Sequence, residues 1–180
     1  MLHTIAIFDQ QITAALSSIL PHNTFFDFFF SFLSLQGLTV IIWILLFAFF
    51  VYRERFDNTH KEFVIAFLIS FLTTSFIVNI VIKNVVMRDR PWVVQQISDA
   101  VCPDDFSFPS GHASGAFAGA VIFAFYDRQR KWLYYGIASL ISLSRIYLHC
   151  HYVLDITVGA LLGFFIGWST LMLLSHRKLI

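Results

Sequence analysis

The segment SRIYLHCHYVLD, residues 144–155, places an arginine, two histidines and an aspartate between two apolar stretches. His151 and Asp155 are four residues apart, so they share one face of a helix. The carboxylate can hold the imidazole in one tautomer and leave its other nitrogen free to attack an electrophile. This spacing predicts a nucleophilic histidine, and Arg145 upstream adds a guanidinium suited to phosphate oxygens.

Two further segments carry complementary chemistry. Residues 83–91, KNVVMRDRP, supply Lys83 and Arg90 at the end of an apolar stretch, and cations there favour a shared anion. Residues 109–112, PSGH, begin the next apolar stretch. A helix beginning there would present the backbone N–H groups of Ser110 and Gly111 as an anion site.

His112 completes the set of candidate catalytic residues. It comes from a different apolar stretch than His151 and can protonate a leaving oxygen. Three cations around one point favour an anion and repel a divalent metal, so the pattern implies no metal and no cofactor. His149 and His151 remain open as half of a metal site, and Arg88 as either a second headgroup contact or an exposed residue.

The composition indicates that these residues belong to a membrane protein. The 180 residues are 58% hydrophobic and 13% charged, with a mean hydropathy of +0.74. These values predict an all-α polytopic membrane bundle in a single domain, residues 1–180. The net charge of +1 and the lack of a basic tail give no indication of nucleic-acid binding.

Five apolar stretches are candidate transmembrane helices: residues 25–52, with Gly37 as a possible bend, 63–86, 111–126, 132–147 and 152–174. The third and fourth are short and must borrow flanking residues to span. Residues 1–20 show apolar positions at helical spacing, which predicts an amphipathic helix at the interface, with a sixth span as the alternative. Asp9 interrupts this segment, which we therefore do not interpret as a cleaved signal peptide.

The basic residues predict the orientation of these spans. Eight of the twelve lie in the first and third connections and the C-terminal tail, which the positive-inside rule makes cytoplasmic. The other four, Lys83, Arg88, Arg90 and Arg145, lie on the opposite side, together with both cysteines. The candidate site is therefore expected to face the exterior. Cys102 and Cys150 are expected to be free thiols there, with a bridge as the alternative.

The three segments together resemble the signature of the type 2 phosphatidic acid phosphatase family. The matching pattern is Lys83-x6-Arg90-Pro91, then Pro109-Ser110-Gly111-His112, then Ser144-Arg145-x5-His151-x3-Asp155. The resemblance implies that His151 forms a phosphohistidine, that Asp155 orients it, and that His112 serves as acid and then base. It also implies that Lys83, Arg90, Ser110, Gly111 and Arg145 bind the phosphoryl group.

The function expected from this resemblance is metal-independent hydrolysis of a lipid phosphate at the outer face of a bacterial inner membrane. Family analogy favours undecaprenyl diphosphate as the substrate, with phosphatidylglycerophosphate or lipid A as alternatives. A soluble-substrate member like glucose-6-phosphatase is disfavoured by the short chain, and a haloperoxidase by the hydrophobicity. A non-catalytic lipid-binding or transport protein is the alternative from another class. The motif residues are expected to contact only the phosphate group, so they predict neither the lipid tail nor the oligomeric state.

Overall fold

The computed structural model describes residues 2–34, 38–53, 59–97 and 102–176, and every regular element in these ranges is a helix. The α-helices are α1 (Leu2–Ile19), α2 (Thr24–Ser34), α3 (Leu38–Arg53), α4 (Thr59–Ser75), α5 (Lys83–Val86), α6 (Pro91–Val94), α7 (Gly111–Tyr126), α8 (Lys131–Tyr147) and α9 (Val153–His176). A π-helical segment, Phe76–Ile82, joins α4 to α5, and a 3-10 turn, Arg128–Arg130, precedes α8.

The predicted spans correspond closely to these helices. The first predicted span, residues 25–52, contains α2 and α3. The proposed bend at Gly37 falls at residues 35–37, outside the described residues. The π-helical segment was not predicted, because its composition is as apolar as the α-helices around it.

Two helices in the described part of the chain are long and apolar enough to cross a membrane by length and composition. They are Lys61–Val94, which joins α4 to α6, and Val153–His176. Helices α2 and α7 are apolar but shorter. The fold is thus an all-helical membrane bundle, and the predicted five or six spans stay a prediction.

Close packing of α7 against α9 fixes the centre of the bundle. Gly163 lies against the backbone of Ser114, and a Cβ atom placed on it would be only 2.0 Å from the carbonyl oxygen of that serine. Gly159 and Gly167, one turn away on either side, similarly approach the carbonyl oxygens of Ser110 and Ala118. Small residues allow such approach between membrane helices. The small residues of α7 and α9 therefore bring the two backbones into direct contact.

Helix α1 packs on the protein through its polar face. Asp9, Thr13 and Ser17 recur every four residues and are buried. Ile5, Phe8 and Ile19 are 47%, 63% and 74% exposed, so the apolar side faces outward. The predicted helix is amphipathic, and its polar face meets the end of the bundle that carries the candidate site.

Candidate active site

The turn between α8 and α9 sets the position of His151. The carbonyl oxygen of Arg145 accepts hydrogen bonds from the N–H groups of both Cys150 and His151, at 3.0 and 3.1 Å. His149 adopts a left-handed conformation, with φ of 56°, and reverses the chain. The His151 side chain therefore points back among the helix ends, where it is 1% exposed.

The contacts of the His151 ring define its tautomer. Its Nε2 lies 3.0 Å from Nη1 of Arg90, and a guanidinium can only donate, so Nε2 must accept. The proton then resides on Nδ1, which lies 3.4 Å from both the Asp155 carboxylate and the Ser107 hydroxyl. Nε2, the nitrogen that carries the lone pair, therefore faces the guanidinium of Arg90.

Asp155 is completely buried and heavily hydrogen-bonded. Its carboxylate accepts from the Ser107 hydroxyl, from the Tyr152 N–H at 3.0 Å and from Nη1 of Arg88 at 2.7 Å. The Ser107 N–H donates to the Arg88 carbonyl oxygen, which fixes the serine beside the carboxylate. Asp155 is therefore rigidly placed to hold the histidine.

Lys83 and Arg90 form the cationic wall of the site. Both side chains are buried, and both bind the carboxylate of Asp105, a half-exposed residue of the segment before α7. Burial acts to raise the pKa of Asp105, but the bonds to the two cations outweigh it and hold that pKa below its ordinary value. The carboxylate therefore occupies, as an anion, the position that the sequence assigns to a phosphoryl group.

Arg145 completes the predicted set of cations from α8. Its Nη1 donates to the carbonyl oxygen of Ser34 at 3.2 Å and to the Ser34 hydroxyl. Its Nε and Nη2 are buried and have no hydrogen-bond partner among the described residues. Buried guanidinium donors are rarely left unsatisfied, so these two suit an incoming anion.

The PSGH segment begins α7 as predicted. Ser110 is the N-cap, and its hydroxyl accepts from the Ala113 N–H while its own N–H donates to the Asp155 carbonyl oxygen. Gly111 is tightly packed, since a Cβ atom there would lie 2.6 Å from Oδ1 of Asn79. The segment is therefore bound directly to the start of α9. The expectation that the Ser110 N–H belongs to an anion site is wrong, because this N–H is bonded to the Asp155 carbonyl oxygen.

A single cavity of about 780 Å³ brings most of these groups together. Its polar lining includes Lys83, Arg90, Asp105, Gly111, His112 and His151. Its apolar lining includes Trp43, Phe47, Phe67 and Phe71. Ser110, Arg145 and Asp155 are buried and are not among its lining residues. The lining of the cavity thus combines the candidate catalytic groups with aromatic side chains of α3 and α4.

Burial and charge keep His151 in its nucleophilic form. Burial, and then the positive charges of Arg90, Arg145 and Lys83, hold the pKa of His151 well below its ordinary value. The neutral imidazole is the form with a lone pair on Nε2. For the alternative of a half metal site at His149 and His151, no group of three His, Cys, Asp or Glu side chains within the described ranges is arranged so that it could hold a metal ion.

The expectation of two free thiols is wrong. Cys102 and Cys150 form a disulfide, with Cα atoms 5.5 Å apart. The two cysteines are separated by 48 residues in the sequence, so a local pattern could not predict that they lie close together. The bridge ties the segment that carries Asp105 and Ser107 to the residue next to His151.

We expect thiol labelling of intact, unreduced protein to modify no cysteine, and labelling after reduction to modify two. Reduction should also destabilise the protein by about 2–4 kcal/mol, the usual contribution of a disulfide. Thermal unfolding with and without reductant measures this. A Cys102→Ala/Cys150→Ala variant should show no response to reductant, and two reactive thiols in the unreduced protein would disprove the bridge.

Three residues of the site were missed by sequence reasoning: Arg88, Asp105 and Ser107. Arg88 is not merely exposed, because its guanidinium links Asp155 to Asp9 of α1 at 2.7 Å on each side. The alternative of a headgroup contact stays a prediction. Asp105 and Ser107 lie in an irregular segment without a periodic pattern. The only signal was their closeness to PSGH in the sequence.

The helical bundle thus brings buried cations together with a paired histidine and aspartate. The family model described as the PAP2 superfamily matches residues 63–178, and the chain belongs to this superfamily. This confirms the resemblance drawn from the three motifs.

Relatives of the chain include several phosphatases. It is 30% identical over 182 residues to the lipid A 4'-phosphatase of Bacteroides thetaiotaomicron, covering 93% of this chain and 77% of that protein. It is 24% identical to the undecaprenyl-diphosphatase BcrC of Bacillus subtilis, covering 89% and 81%. The crystal structure of Aquifex aeolicus LpxE superposes with a TM-score of 0.67 at 23% identity, covering 90% and 93%, and shows the same fold.

Proposed function

We propose that the protein hydrolyses a phosphate or diphosphate group on a membrane lipid through a phosphohistidine. The observation that carries this proposal is the cavity, which is lined both by His151, His112, Lys83 and Arg90 and by aromatic side chains. The aromatic lining suits a lipid tail, and the two cations suit its phosphate. A soluble phosphate ester would make no use of the aromatic lining.

The residues support a two-step reaction. Nε2 of His151 attacks phosphorus, the bond from phosphorus to the lipid oxygen breaks, and His112 gives that oxygen a proton. His112 then takes a proton from water, the water oxygen attacks phosphorus, and the P–N bond breaks to release phosphate. Lys83, Arg90 and Arg145 balance the charge on the transferring group.

Undecaprenyl diphosphate is the proposed substrate, acted on at the outer face of a bacterial inner membrane. The outer face is supported by Lys61 and the basic residues 128–131, which lie at the helix ends remote from the site, and by the disulfide beside His151. Lipid A is the second candidate, because the lipid A 4'-phosphatase of Bacteroides thetaiotaomicron is similar over 93% of this chain.

Phosphate release from purified lipids in detergent tests this proposal. We expect release from undecaprenyl diphosphate to exceed release from lipid A, phosphatidylglycerophosphate and glucose 6-phosphate. The rate should survive EDTA, because the proposed steps use only side chains. Orthovanadate should inhibit, since it adopts the five-coordinate geometry of phosphoryl transfer. Equal rates on glucose 6-phosphate, or a metal-reversible loss in EDTA, would contradict the proposal.

A further inference from the structure

Helix α1 is connected to the candidate site by two ion pairs that share the guanidinium of Arg88. Nη2 of Arg88 lies 2.7 Å from Oδ2 of Asp9, and Nη1 of the same guanidinium lies 2.7 Å from Oδ1 of Asp155. Asp9 and Asp155 are both buried, and Arg88 is 20% exposed in its side chain. The Arg88 guanidinium also stacks on the Tyr152 ring, 3.9 Å from its centroid. All the partners are therefore held in place.

Helix α1 also caps the helix that carries Asp155. The second carboxylate oxygen of Asp9 accepts from the Leu154 N–H at 2.9 Å, and the Thr13 hydroxyl accepts from the Val153 N–H at 3.0 Å. The first N–H groups of a helix have no partner within that helix, and a neighbouring side chain can satisfy them. Asp9 thus does two separable things: it caps α9, and it neutralises Arg88.

The charges explain why the second action matters. An Arg88–Asp155 pair by itself has no net charge, so Asp155 would do little to stabilise a positive charge forming on His151. With Asp9 added, the three residues sum to −1, and part of that negative charge is restored at the histidine. Attack on phosphorus makes the imidazole positively charged, so this negative charge favours the transition state.

We propose that Asp9 and Arg88 are positioning residues that tune the nucleophile His151 through Asp155. This proposal rests on the proposed function, and it gives α1 a part in the reaction although no α1 side chain lines the cavity. The Nδ1 side of the ring receives this influence, while the Nε2 side receives the phosphoryl group. Other titratable or charged groups also surround His151 from the adjoining elements: Lys83, Arg90, Asp105, His112 and Arg145.

Two matched variants separate charge from capping. Asp9→Asn keeps an oxygen for the Leu154 N–H and removes the charge, whereas Thr13→Val removes a cap and leaves the charge. We expect Asp9→Asn to lower kcat about tenfold, by analogy with the lower end of the effect of losing an outer partner of a metal-bound histidine. KM should stay within twofold, because the phosphate-binding cations are untouched. Inhibition by orthovanadate should weaken in step with kcat, because orthovanadate imitates the transition state. Thr13→Val should lower the thermal unfolding temperature and leave kcat close to that of the wild type.

The pH dependence gives a readout that a structural role would not move. Loss of the negative charge in Asp9→Asn should lower the pKa of His151 and shift the acidic limb of the kcat profile to lower pH. Arg88→Gln removes a positive charge near His151, so the acidic limb of the kcat profile of this variant should move to higher pH. The Asp9→Asn/Arg88→Gln double variant should return the limb close to that of the wild type.

Two results would overturn the inference. One is an unchanged kcat per folded molecule in Asp9→Asn, and the other is an equal loss in Asp9→Asn and Thr13→Val with no movement of the limbs. Both are read on the lipid from which the wild type releases most phosphate. Absence of release by the wild type from every lipid would count against the proposed function itself.

Discussion

Replacing His151 with alanine is expected to lower kcat by at least about 10³-fold, because loss of the nucleophile removes the covalent route altogether. The ring is buried between Arg90 on one side and Asp155 on the other. His112→Ala should cost about 10²–10⁴-fold, the usual contribution of a general acid. Phosphate release at saturating lipid measures both effects.

His149→Asn is the matched control for these variants. His149 lies two residues from the nucleophile, but its ring approaches Ser17 of α1 and does not line the cavity. Asparagine tolerates the left-handed backbone at this position, so the turn should be preserved. We expect a change of less than about threefold, as for a surface substitution worth roughly 0.5 kcal/mol.

Trapping the intermediate tests the role of His151 directly. Denaturation during turnover of a lipid with a labelled phosphate should leave the label on wild-type protein as an acid-labile, base-stable adduct, and His151→Ala should carry none. Wild-type turnover in the His151→Ala protein, or label retained on it, would show that another group attacks phosphorus.

The second large effect is expected at Gly163. A Cβ atom in Gly163→Ala would lie 2.0 Å from the Ser114 carbonyl oxygen, and neither backbone can yield unless α7 and α9 separate. Overpacking typically costs about 1–3 kcal/mol and occasionally more, and contact with backbone places this variant at the upper end. Thermal unfolding in detergent should therefore show marked destabilisation.

Activity should fall with stability in Gly163→Ala, because the two helices carry His112 and Asp155 on facing ends. Gly136→Ala provides the control, since a Cβ atom on that α8 residue meets nothing within 4 Å. It should leave activity unchanged and stability unchanged or raised by up to about 1 kcal/mol. Similar unfolding temperatures for the two variants would show that the helices do not depend on this contact.

The predictable part of the molecule is the part governed by local pattern. Helix α7 begins and ends as predicted, because PSGH supplies a cap and Asp127 ends the apolar run. The predicted cations Lys83 and Arg90 and the predicted histidines line one cavity, because the ends of successive antiparallel helices meet at one face.

The unpredicted part depends on tertiary contacts. Arg88 turns toward Asp155 because Met87, with φ of 49°, redirects the chain after α5, and no composition signal marks that turn. Asp105 and Ser107 reach the site along an irregular segment held by a disulfide. The partnership of Asp9 with Arg88 joins residues 79 positions apart, beyond the reach of any periodicity.

If Lys83 and Arg90 bind the phosphate of a lipid as proposed, the carboxylate of Asp105 is an internal competitor for these two cations. A tethered group competes at a high effective concentration whatever the concentration of free ligand, so every anion that enters must displace it. This competition lowers the affinity of the two cations both for the head group of the substrate and for the released phosphate. A lipid gains further binding free energy through the apolar contacts of its tail, but free phosphate has no tail. The tethered carboxylate therefore favours departure of the product from a strongly cationic site while the lipid is still admitted.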